Sequence, residues 1–144
     1  MPPLTAAVVA FLARARVAHL ATADVAGQPH VVPIVFVVLD GRLYSPLDAK
    51  PKRVPGRRLK RVRNLAANPR VAVVVDRYAE DWSRLGYVLW QGRARLLDHG
   101  AEADRARAAL RGKYSQYNDH ALGLHDATLI VVEPERVVVW GQLD

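Results

Sequence analysis

Short apolar runs, separated by turn residues, constrain the fold of this chain more than any other feature of its sequence. Two of these runs flank the dipeptide Asp40-Gly41, which is a strong signal for a tight β-hairpin. The runs predict about seven strands and three helices, without the strand–helix alternation that builds parallel sheets. Strands joined mostly by hairpins favour a mainly β (α+β) fold, an antiparallel sheet or barrel with helices packed outside. The length of 144 residues fits one domain, residues 1–144.

Apolar residues at helical spacing predict the helices. The three predicted helices cover residues 4–15, 57–68 and 101–117. In the second of them Leu59, Val62 and Leu65 share one face, and arginines occupy the other. Asn68-Pro69 ends this helix, because the residue before a proline avoids the helical conformation.

The predicted strands follow from shorter apolar runs bounded by turn residues. They cover residues 17–24, 29–40, 42–46, 70–78, 87–98, 127–134 and 135–142. The run 70–78 is apolar enough to be buried on both sides, and the run 87–98 is expected to bend at Gly92. The last two strands are expected to meet at a turn over residues 133–135.

Several classes of protein are excluded or disfavoured by what the sequence lacks. Cysteine is absent, which excludes a disulfide scaffold, a thiolate metal site and a cysteine nucleophile. No apolar run reaches the roughly 18 residues that a membrane span requires, and the N-terminal segment turns to arginine too early for a signal peptide. We therefore expect a cytoplasmic protein without a membrane span. Seventeen of the 21 cationic residues are arginine, which is typical of GC-rich bacterial genomes.

Positive charge is concentrated in one segment, residues 50–70, which we call the basic window. The net charge is +7, and the basic window holds nine basic residues and no acidic one. The rest of the chain holds twelve basic and fourteen acidic residues, and is thus nearly neutral. A local excess of positive charge implies an anionic partner: nucleic acid, an acidic membrane or a phosphorylated small molecule.

The basic window fits a phosphate-bearing ligand better than its alternatives. A solvated helix face would pair its cations with acidic residues at i,i+4, and the window contains none. Nucleic-acid binding usually requires aromatic side chains for stacking, and the window contains none of these either. A strand end at Tyr44-Ser45, a proline-stiffened cationic loop and the first turn of a helix could instead converge on one phosphate.

Motifs of the common enzyme classes are missing. The sequence has no glycine-rich phosphate loop after a strand, no HExxH and no GxSxG. His19 and His30 lie in or beside predicted strands, where a structural role is expected. His120 and His125 do not have the i,i+4 spacing of a helical metal pair, so we expect no metal site.

Several strings of residues, in a fixed order, carry a family resemblance. They are HLATADVAGQPHVVPIVFVV, LYS, a basic loop, RNLAANPRVAVVVD and VLWQGRARLL. Together they resemble the pyridoxamine 5′-phosphate oxidase-like proteins, the flavin and deazaflavin split-barrel superfamily, over residues 10–141. The strings DAKPKR, LKRVRNLAANPRV and DRYAEDWSRLGYV resemble its F-420 (deazaflavin)-dependent branch. The Arg-x-x-x-x-Lys strand of the oxidase proper is absent, since residues 33–38 carry no charge.

The resemblance implies a split-barrel homodimer with a cofactor in each of two grooves between the subunits. The strand Val32–Val37 would lie beside the ring system of the cofactor and present Pro33 and Val35. The end of the next strand, with Tyr44, the basic loop and the start of the following helix would hold the phosphate. The implied cofactor-site residues on these elements are Ser45, Lys50, Lys52, Arg53, Arg57, Lys60, Arg61 and Asn64.

Charge favours one of the two cofactors that this superfamily uses. Flavin mononucleotide (FMN) presents one phosphate, which about two or three cations satisfy. The deazaflavin coenzyme F-420 carries a phosphodiester and a glutamyl tail with several carboxylates. The nine cations of the basic window suit the longer anion, with Arg57, Arg58 and Arg63 along the tail.

The expected activity is hydride transfer between C5 of F-420 and a small unsaturated or conjugated substrate. Because the cofactor carries the chemistry, the protein need only bind, orient and exclude water. Tyr78, Trp82 and Tyr87 are candidate substrate contacts, and equally candidate core or interface residues. An FMN-dependent oxidoreductase, a non-catalytic cofactor or haem carrier and a nucleic-acid-binding barrel remain as alternatives.

Overall fold

A computed structural model describes residues 3–47 and 59–144. Its helices α1, α2 and α3 span Ala6–Arg14, Lys60–Ala67 and Ala101–Lys113. Its strands β1 to β7 span, in chain order, Ala18–Ala23, Pro29–Ile34, Val37–Leu39, Arg42–Pro46, Arg70–Arg77, Gly86–Leu97 and Leu129–Gly141. These strands form one antiparallel sheet in the order β2-β1-β5-β6-β7-β4-β3. None of the described helices is both long and apolar enough to cross a bilayer.

The sheet curls into a half-barrel with helices on both faces, which confirms the predicted fold class. The larger apolar cluster fills the inner face, where α1 and α2 pack on alternate residues of the strands. Ile130 and Val132 of β7 point into this cluster, whereas Leu129 and Val131 point to the other face and pack beneath α3. Because α3 covers β3, β4 and the first half of β7, the other face of β1, β2 and β5 has no helix over it among the described residues.

The predicted hairpin at Asp40-Gly41 is confirmed. Both residues adopt the left-handed conformation, with φ of 51° at Asp40 and 74° at Gly41, and the turn joins β3 to β4. Positive φ at both central positions is the geometry of the tightest hairpin turns, and Asp-Gly accepts it at little cost.

The predicted single strand over residues 29–40 is wrong, because the chain divides into β2 and β3 at Val35 and Phe36. The Tyr114 hydroxyl lies 3.1 Å from both the amide nitrogen and the carbonyl oxygen of Phe36, and 2.9 Å from the Arg16 carbonyl oxygen. A side chain therefore satisfies the Phe36 backbone in place of a neighbouring strand. This partner lies 78 residues further along the chain, so no local pattern signals the break.

The prediction that the run 70–78 is buried on both sides is wrong for the single chain. Val71, Val73 and Val75 of β5 are buried on the inner face, whereas Ala72 and Val74 on the other face remain partly exposed. The apolar composition of β5 therefore exceeds what one chain needs to fill its own core.

The predicted turn over residues 133–135 is also wrong, because β7 runs through this segment as one strand of 13 residues. The pairing of β6 with β7 shifts register between Gln91 and Gly92, so one extra residue of β7 is taken up by a bulge. A Cβ atom at Gly92 would lie 1.9 Å from the Glu133 carbonyl oxygen, which explains the glycine. β6 runs through Gly92 as one strand, and the bend predicted there stays a prediction.

The helices follow their predicted faces but not all of their predicted lengths. α2 ends as predicted, with the Asn68 amide donating to the Asn64 carbonyl oxygen at 2.7 Å, and it buries Val62 and Leu65 in the core. The helix predicted over 101–117 is α3, which stops at Lys113 and is followed by a 3₁₀ turn.

Candidate functional site

One end of the half-barrel collects polar side chains, at the point where β1 stops and β2 begins. We call it the polar end and define it by Thr22, Asp24, His30, Lys60 and Asn64. Thr22 and Asn64 are almost fully buried there, at 2% and 1% exposure. Buried polar groups are retained only with partners, and the Asn64 amide Nδ2 donates to the Thr22 hydroxyl at 2.9 Å.

The sequence of α2 explains how this helix delivers its polar residues. Val62 and Leu65 anchor α2 in the inner cluster, and the helix packs against β1 and β2. Lys60 and Asn64 are four residues apart and therefore share one face of the helix. While Asn64 reaches Thr22 in β1, the Lys60 ammonium lies 3.6 Å from the Asp24 carboxylate in the following turn.

Asp24 organises the turn between β1 and β2. Its Oδ1 atom accepts hydrogen bonds from the Ala26 amide at 2.9 Å and the Gln28 amide at 3.0 Å. The Gln28 amide, with help from the Ala26 amide and the Lys60 ammonium, lowers the pKa of Asp24 below its usual value. The Asp24 carboxylate is therefore charged at neutral pH and forms an ion pair with the Lys60 ammonium.

His30 lies directly opposite Thr22 in the pairing of β1 with β2. Its Nδ1 atom is buried and has no hydrogen-bond partner within residues 3–47 and 59–144. His30 shares its strand face with Val32 and Ile34, which pack into the inner cluster. The sequence gives no local sign of this, because the burial depends on which residues face one another across the strands.

The structure brings together only part of the predicted phosphate site. Lys60, Arg61 and Asn64 lie together on α2. Ser45 is buried at 3% exposure in β4, on the inner face that its neighbours Leu43 and Leu47 share. The remaining predicted cations lie outside the described residues: Lys50, Lys52, Arg53 and Arg57.

Tyr44, also predicted near the phosphate, instead takes part in a separate network under α3. Its hydroxyl donates to Glu102 at 2.7 Å, and Arg95 donates to the same carboxylate at 2.7 Å. Burial, reinforced by the neighbouring Glu102 carboxylate, raises the pKa of Tyr44 to about 12. The Tyr44 hydroxyl is thus engaged with Glu102, and its predicted part in holding the phosphate stays a prediction.

The two residues predicted beside the cofactor ring do not share a surface with His30. Pro33 lies on the exposed side of β2, opposite His19, which is the other face of the sheet. Val35 lies in the break between β2 and β3, partly buried against the cluster under α3.

The predicted substrate residues gather at the opposite end of the sheet. We call this the aromatic end and define it by Tyr78, Trp82, Tyr87 and Trp140. The Trp82 Nε1 atom lies 3.4 Å from the Tyr78 hydroxyl, and these side chains are 71% and 63% exposed. Tyr87 stacks on Trp140 with ring centroids 5.6 Å apart. Trp140 was not predicted, and only the register of β6 with β7 places it opposite Tyr87.

The polar end and the aromatic end are too far apart to form one pocket in one chain. In β5, Ala72 lies next to Ala21 of β1, close to the polar end, whereas Arg77 lies opposite Gly86 at the aromatic end. At about 3.3 Å for each residue, the five steps from Ala72 to Arg77 span about 17 Å.

An apolar surface connects the two ends on the face of the sheet that no described helix covers. We call it the open face. Its members alternate with the core residues of their strands. They are Val31, Ala21, Ala72, Val74, Leu89 and Val138. Val31 is 63% exposed. The other five members are partly exposed, and an apolar surface of this kind is typical of an interaction site.

Metal binding finds no support in the described part of the chain. Within residues 3–47 and 59–144, no three His, Asp or Glu side chains lie close enough together to hold an ion. His120 and His125 are both exposed, and the His125 Nε2 atom lies 3.8 Å from the Asp126 carboxylate.

Comparison with known families finds one match over almost the whole chain. The family model described as pyridoxamine 5′-phosphate oxidase matches residues 4–141. Among curated proteins, the chain is similar to the 5a,11a-dehydrotetracycline/5a,11a-dehydrooxytetracycline reductase of Streptomyces rimosus. The two are 28% identical over 140 residues, which cover 96% of this chain and 84% of that protein.

Comparison with solved structures finds the same fold in proteins that bind different groups. An FAD-binding protein from Mesorhizobium loti is similar with a TM-score of 0.66 and 27% identity, covering 94% of each chain. The haem storage protein HutZ from Vibrio cholerae has a TM-score of 0.73 and 20% identity, covering 93% of this chain and 94% of that one.

Proposed function

The chain belongs to the pyridoxamine 5′-phosphate oxidase family, and from this premise we propose that it is an oxidoreductase that uses the deazaflavin coenzyme F-420. The polar end carries this proposal. There the Lys60 ammonium lies 3.6 Å from the Asp24 carboxylate. Lys60 is one helical turn from Asn64, whose amide donates to the buried Thr22 hydroxyl. A cation and hydrogen-bond donors on rigid elements are the groups that bind a phosphate.

The residues present fit an anionic cofactor. Lys60 is only loosely engaged, since its 3.6 Å separation from Asp24 is longer than a hydrogen bond. An anion at Lys60 would gain a charge-assisted contact, and the Nδ1 atom of His30 would gain a partner for its buried polar group. Asp24 opposes the anion, and its own amide contacts hold it in the turn.

Further cations lie at Arg63 of α2 itself and, beyond the helix, on the opposite face of the sheet, and they favour the longer anion. Arg63 is exposed on α2, Arg70 begins β5, and Arg93 lies directly opposite Arg70 in β6. Glu135 lies 3.7 Å from Arg70 and 3.6 Å from Arg93, so one carboxylate serves two guanidinium groups. The carboxylates of a glutamyl tail match this row in charge, whereas the single phosphate of FMN would leave it unused.

The open face supports the proposal that the protein is a homodimer. Its valines and leucine lie in one surface that a second copy of the same surface can cover. A two-fold axis perpendicular to the strands would set the partner's aromatic end against the polar end of the first chain. Thr22 and His30 face away from the open face, so the shared pocket would lie around the β1–β2 turn at the end of the sheet. It would then hold both groups, which lie about 17 Å apart in a single chain.

Each end then has its own task in the reaction. When bound, F-420 supplies hydride transfer at its C5 atom. Lys60, Arg61 and the Asn64 face of α2 bind the phosphate and fix the orientation of the cofactor. Tyr78 and Trp82 of the partner cover the ring, exclude water and contact the substrate, because exposed aromatic side chains gain most from such burial.

The substrate class is a small unsaturated or conjugated organic molecule. The Streptomyces relative supports this, because its name specifies a reductase of dehydrotetracyclines, which are unsaturated ring systems. The open, aromatic surface of Tyr78 and Trp82 is suited to a flat conjugated molecule. Pyridoxamine phosphate oxidation is not part of the proposal, since residues 33–38 lack the charged strand of the oxidase proper.

A second candidate function is that of an FMN-dependent oxidoreductase on the same fold. The similarity to a protein that binds FAD, a flavin, favours it. Both candidates use the polar end for the phosphate, and they differ in whether the cation row beyond α2 has a partner.

Titration of the purified apoprotein with both cofactors, side by side, separates the candidates. We expect F-420 to bind at least tenfold more tightly than FMN at low salt, and its affinity to fall more steeply as salt rises, because it engages more charges. Equal or tighter binding of FMN would overturn the choice of F-420 and leave the flavin enzyme.

A further inference from the structure

We propose that His30 is a cofactor-binding residue whose Nδ1 atom donates a hydrogen bond to a phosphate oxygen of the bound cofactor. The inference rests on the proposed function and adds a residue that the sequence pattern assigns to the β-sheet alone. It extends the phosphate site from α2 to the strand that α2 covers.

Burial of the Nδ1 atom is the first observation. It is shielded from solvent, and within residues 3–47 and 59–144 it has no hydrogen-bond partner. A buried polar atom without a partner is unfavourable, so such atoms in folded proteins usually mark a place that a ligand, a water or another segment completes. His30 as a whole residue is partly exposed.

The position of His30 among the other polar residues is the second observation. Thr22 lies opposite His30 in the strand register, and its hydroxyl is already occupied by Asn64. This contact fixes α2 against β1. Lys60, one helical turn before Asn64, therefore stays on the side of α2 that faces the β1–β2 turn.

The charges at the polar end select the kind of ligand group. Lys60 offers a positive charge and hydrogen-bond donors, and the carboxylate of Asp24 is already tied to the turn amides. A group that accepts several hydrogen bonds and carries negative charge complements this set. A phosphate has these properties, whereas the ring system of the cofactor does not.

His19 provides the contrast within the same pair of strands. It lies in β1 on the opposite face of the sheet from Thr22, where it pairs with Pro33. His19 thus belongs to the open face and His30 to the polar end. The Nδ1 atom of His30 is the only histidine atom of the described residues that is both buried and without a partner.

Two substitutions separate a binding role from a structural one. His30→Leu removes the Nδ1 donor and keeps an apolar side chain, whereas His30→Asn keeps a polar donor close to the Nδ1 position. His99→Leu, at an exposed histidine far along the chain, is the matched control. Thermal midpoints of all three variants establish that each is folded.

The ligands are chosen in pairs that differ in the phosphate. FMN is compared with riboflavin, and F-420 with its chromophore without the phosphodiester tail. We expect His30→Leu to weaken binding of both phosphate-bearing ligands at least tenfold and to leave riboflavin within twofold of the wild type. His30→Asn should recover most of the loss, and His99→Leu should bind like the wild type.

A spectroscopic readout covers the case in which the leucine variant does not fold. In the wild type, titration with inorganic phosphate should shift the ¹⁵N resonance of His30 Nδ1, and chloride at equal ionic strength should not. The inference is overturned if phosphate does not shift this resonance, or if His30→Leu weakens the binding of riboflavin and of FMN equally. If FMN and F-420 bind equally but both depend on His30, the cofactor choice fails and the role of His30 stands.

Discussion

The polar end and the aromatic end are built in opposite ways. At the polar end, buried side chains from α2 and β1 hold one another, as the Asn64–Thr22 hydrogen bond shows. At the aromatic end, Tyr78 and Trp82 belong to one connection between strands and are mostly exposed. One end is an arrangement of buried donors with a cation, and the other is a surface that no element of the described residues covers.

This difference indicates what each end still needs. The polar end holds donors and a cation that an anion can complete. The aromatic end exposes large rings that a small monomer rarely leaves in water without a partner. A second copy of the chain would cover the exposed rings and, in the proposed dimer, bring them to the anion site of its partner.

The largest expected effect comes from a charge in the open face that links the two ends. Val74→Asp should raise the dissociation constant of the dimer at least a hundredfold, because an unpaired charge in an apolar interface costs about 3–5 kcal/mol. Light scattering at micromolar concentration should then give the mass of the monomer, 15.9 kDa, in place of the dimer. Ala108→Asp, on the exposed side of α3, should remain dimeric. A monomeric wild type would contradict the dimer.

The second-largest expected effect is a loss of cofactor binding that depends on the cation at the polar end and not on cations elsewhere. Lys60→Ala should weaken cofactor binding roughly ten- to a hundredfold, since a charge-assisted hydrogen bond contributes about 1.5–3 kcal/mol. The thermal midpoint should barely change, because the pair of Lys60 with Asp24 is at the surface. Arg105→Ala, which removes an exposed cation from α3, should change neither quantity. Equal binding by both variants would show that α2 does not hold the phosphate.

The smallest expected effect is a rise in cofactor affinity, in contrast to the loss expected for Lys60→Ala. Asp24→Asn removes the negative charge beside Lys60 but keeps an oxygen that accepts from the Ala26 and Gln28 amides. Cofactor affinity should therefore rise about two- to fivefold, the scale of one exposed charge interaction. Asp126→Asn, at another exposed carboxylate, should leave affinity unchanged. Weaker binding by Asp24→Asn would mean that the carboxylate itself supports the site.

Local sequence signals were enough to predict much of the fold. Asp40-Gly41 specified its hairpin, Asn68-Pro69 ended α2, and the spacing of Val62 and Leu65 gave the buried face of that helix. Each of these signals acts within a few residues of the structure it determines. They also sufficed to place Lys60 and Asn64 on one face.

Other features depend on contacts between distant residues, which no local pattern contains. The break at Phe36 requires the hydroxyl of Tyr114, and the pairing of Tyr87 with Trp140 requires the register of β6 with β7. The buried Nδ1 atom of His30 requires both its cross-strand partner and the helix above it. Sequence reasoning therefore selected Lys60 and Asn64 for the proposed site and passed over His30, whose burial it could not anticipate.

The central claim is that each site combines the polar end of one chain with the aromatic end of another. Two parent proteins test it: one carries Lys60→Ala, the other carries Tyr78→Ala and Trp82→Ala together. Each parent alone should bind the cofactor weakly. The two are then unfolded and refolded together, so that mixed dimers form.

In a mixed dimer with shared sites, one site collects all three substitutions and the other collects none. Cofactor titration of the refolded mixture should therefore recover tight binding in about a quarter of all sites, since random pairing makes half of the dimers mixed. If both ends of a site came from the same chain, every site would keep a substitution. A mixture that binds no better than its parents would contradict the account.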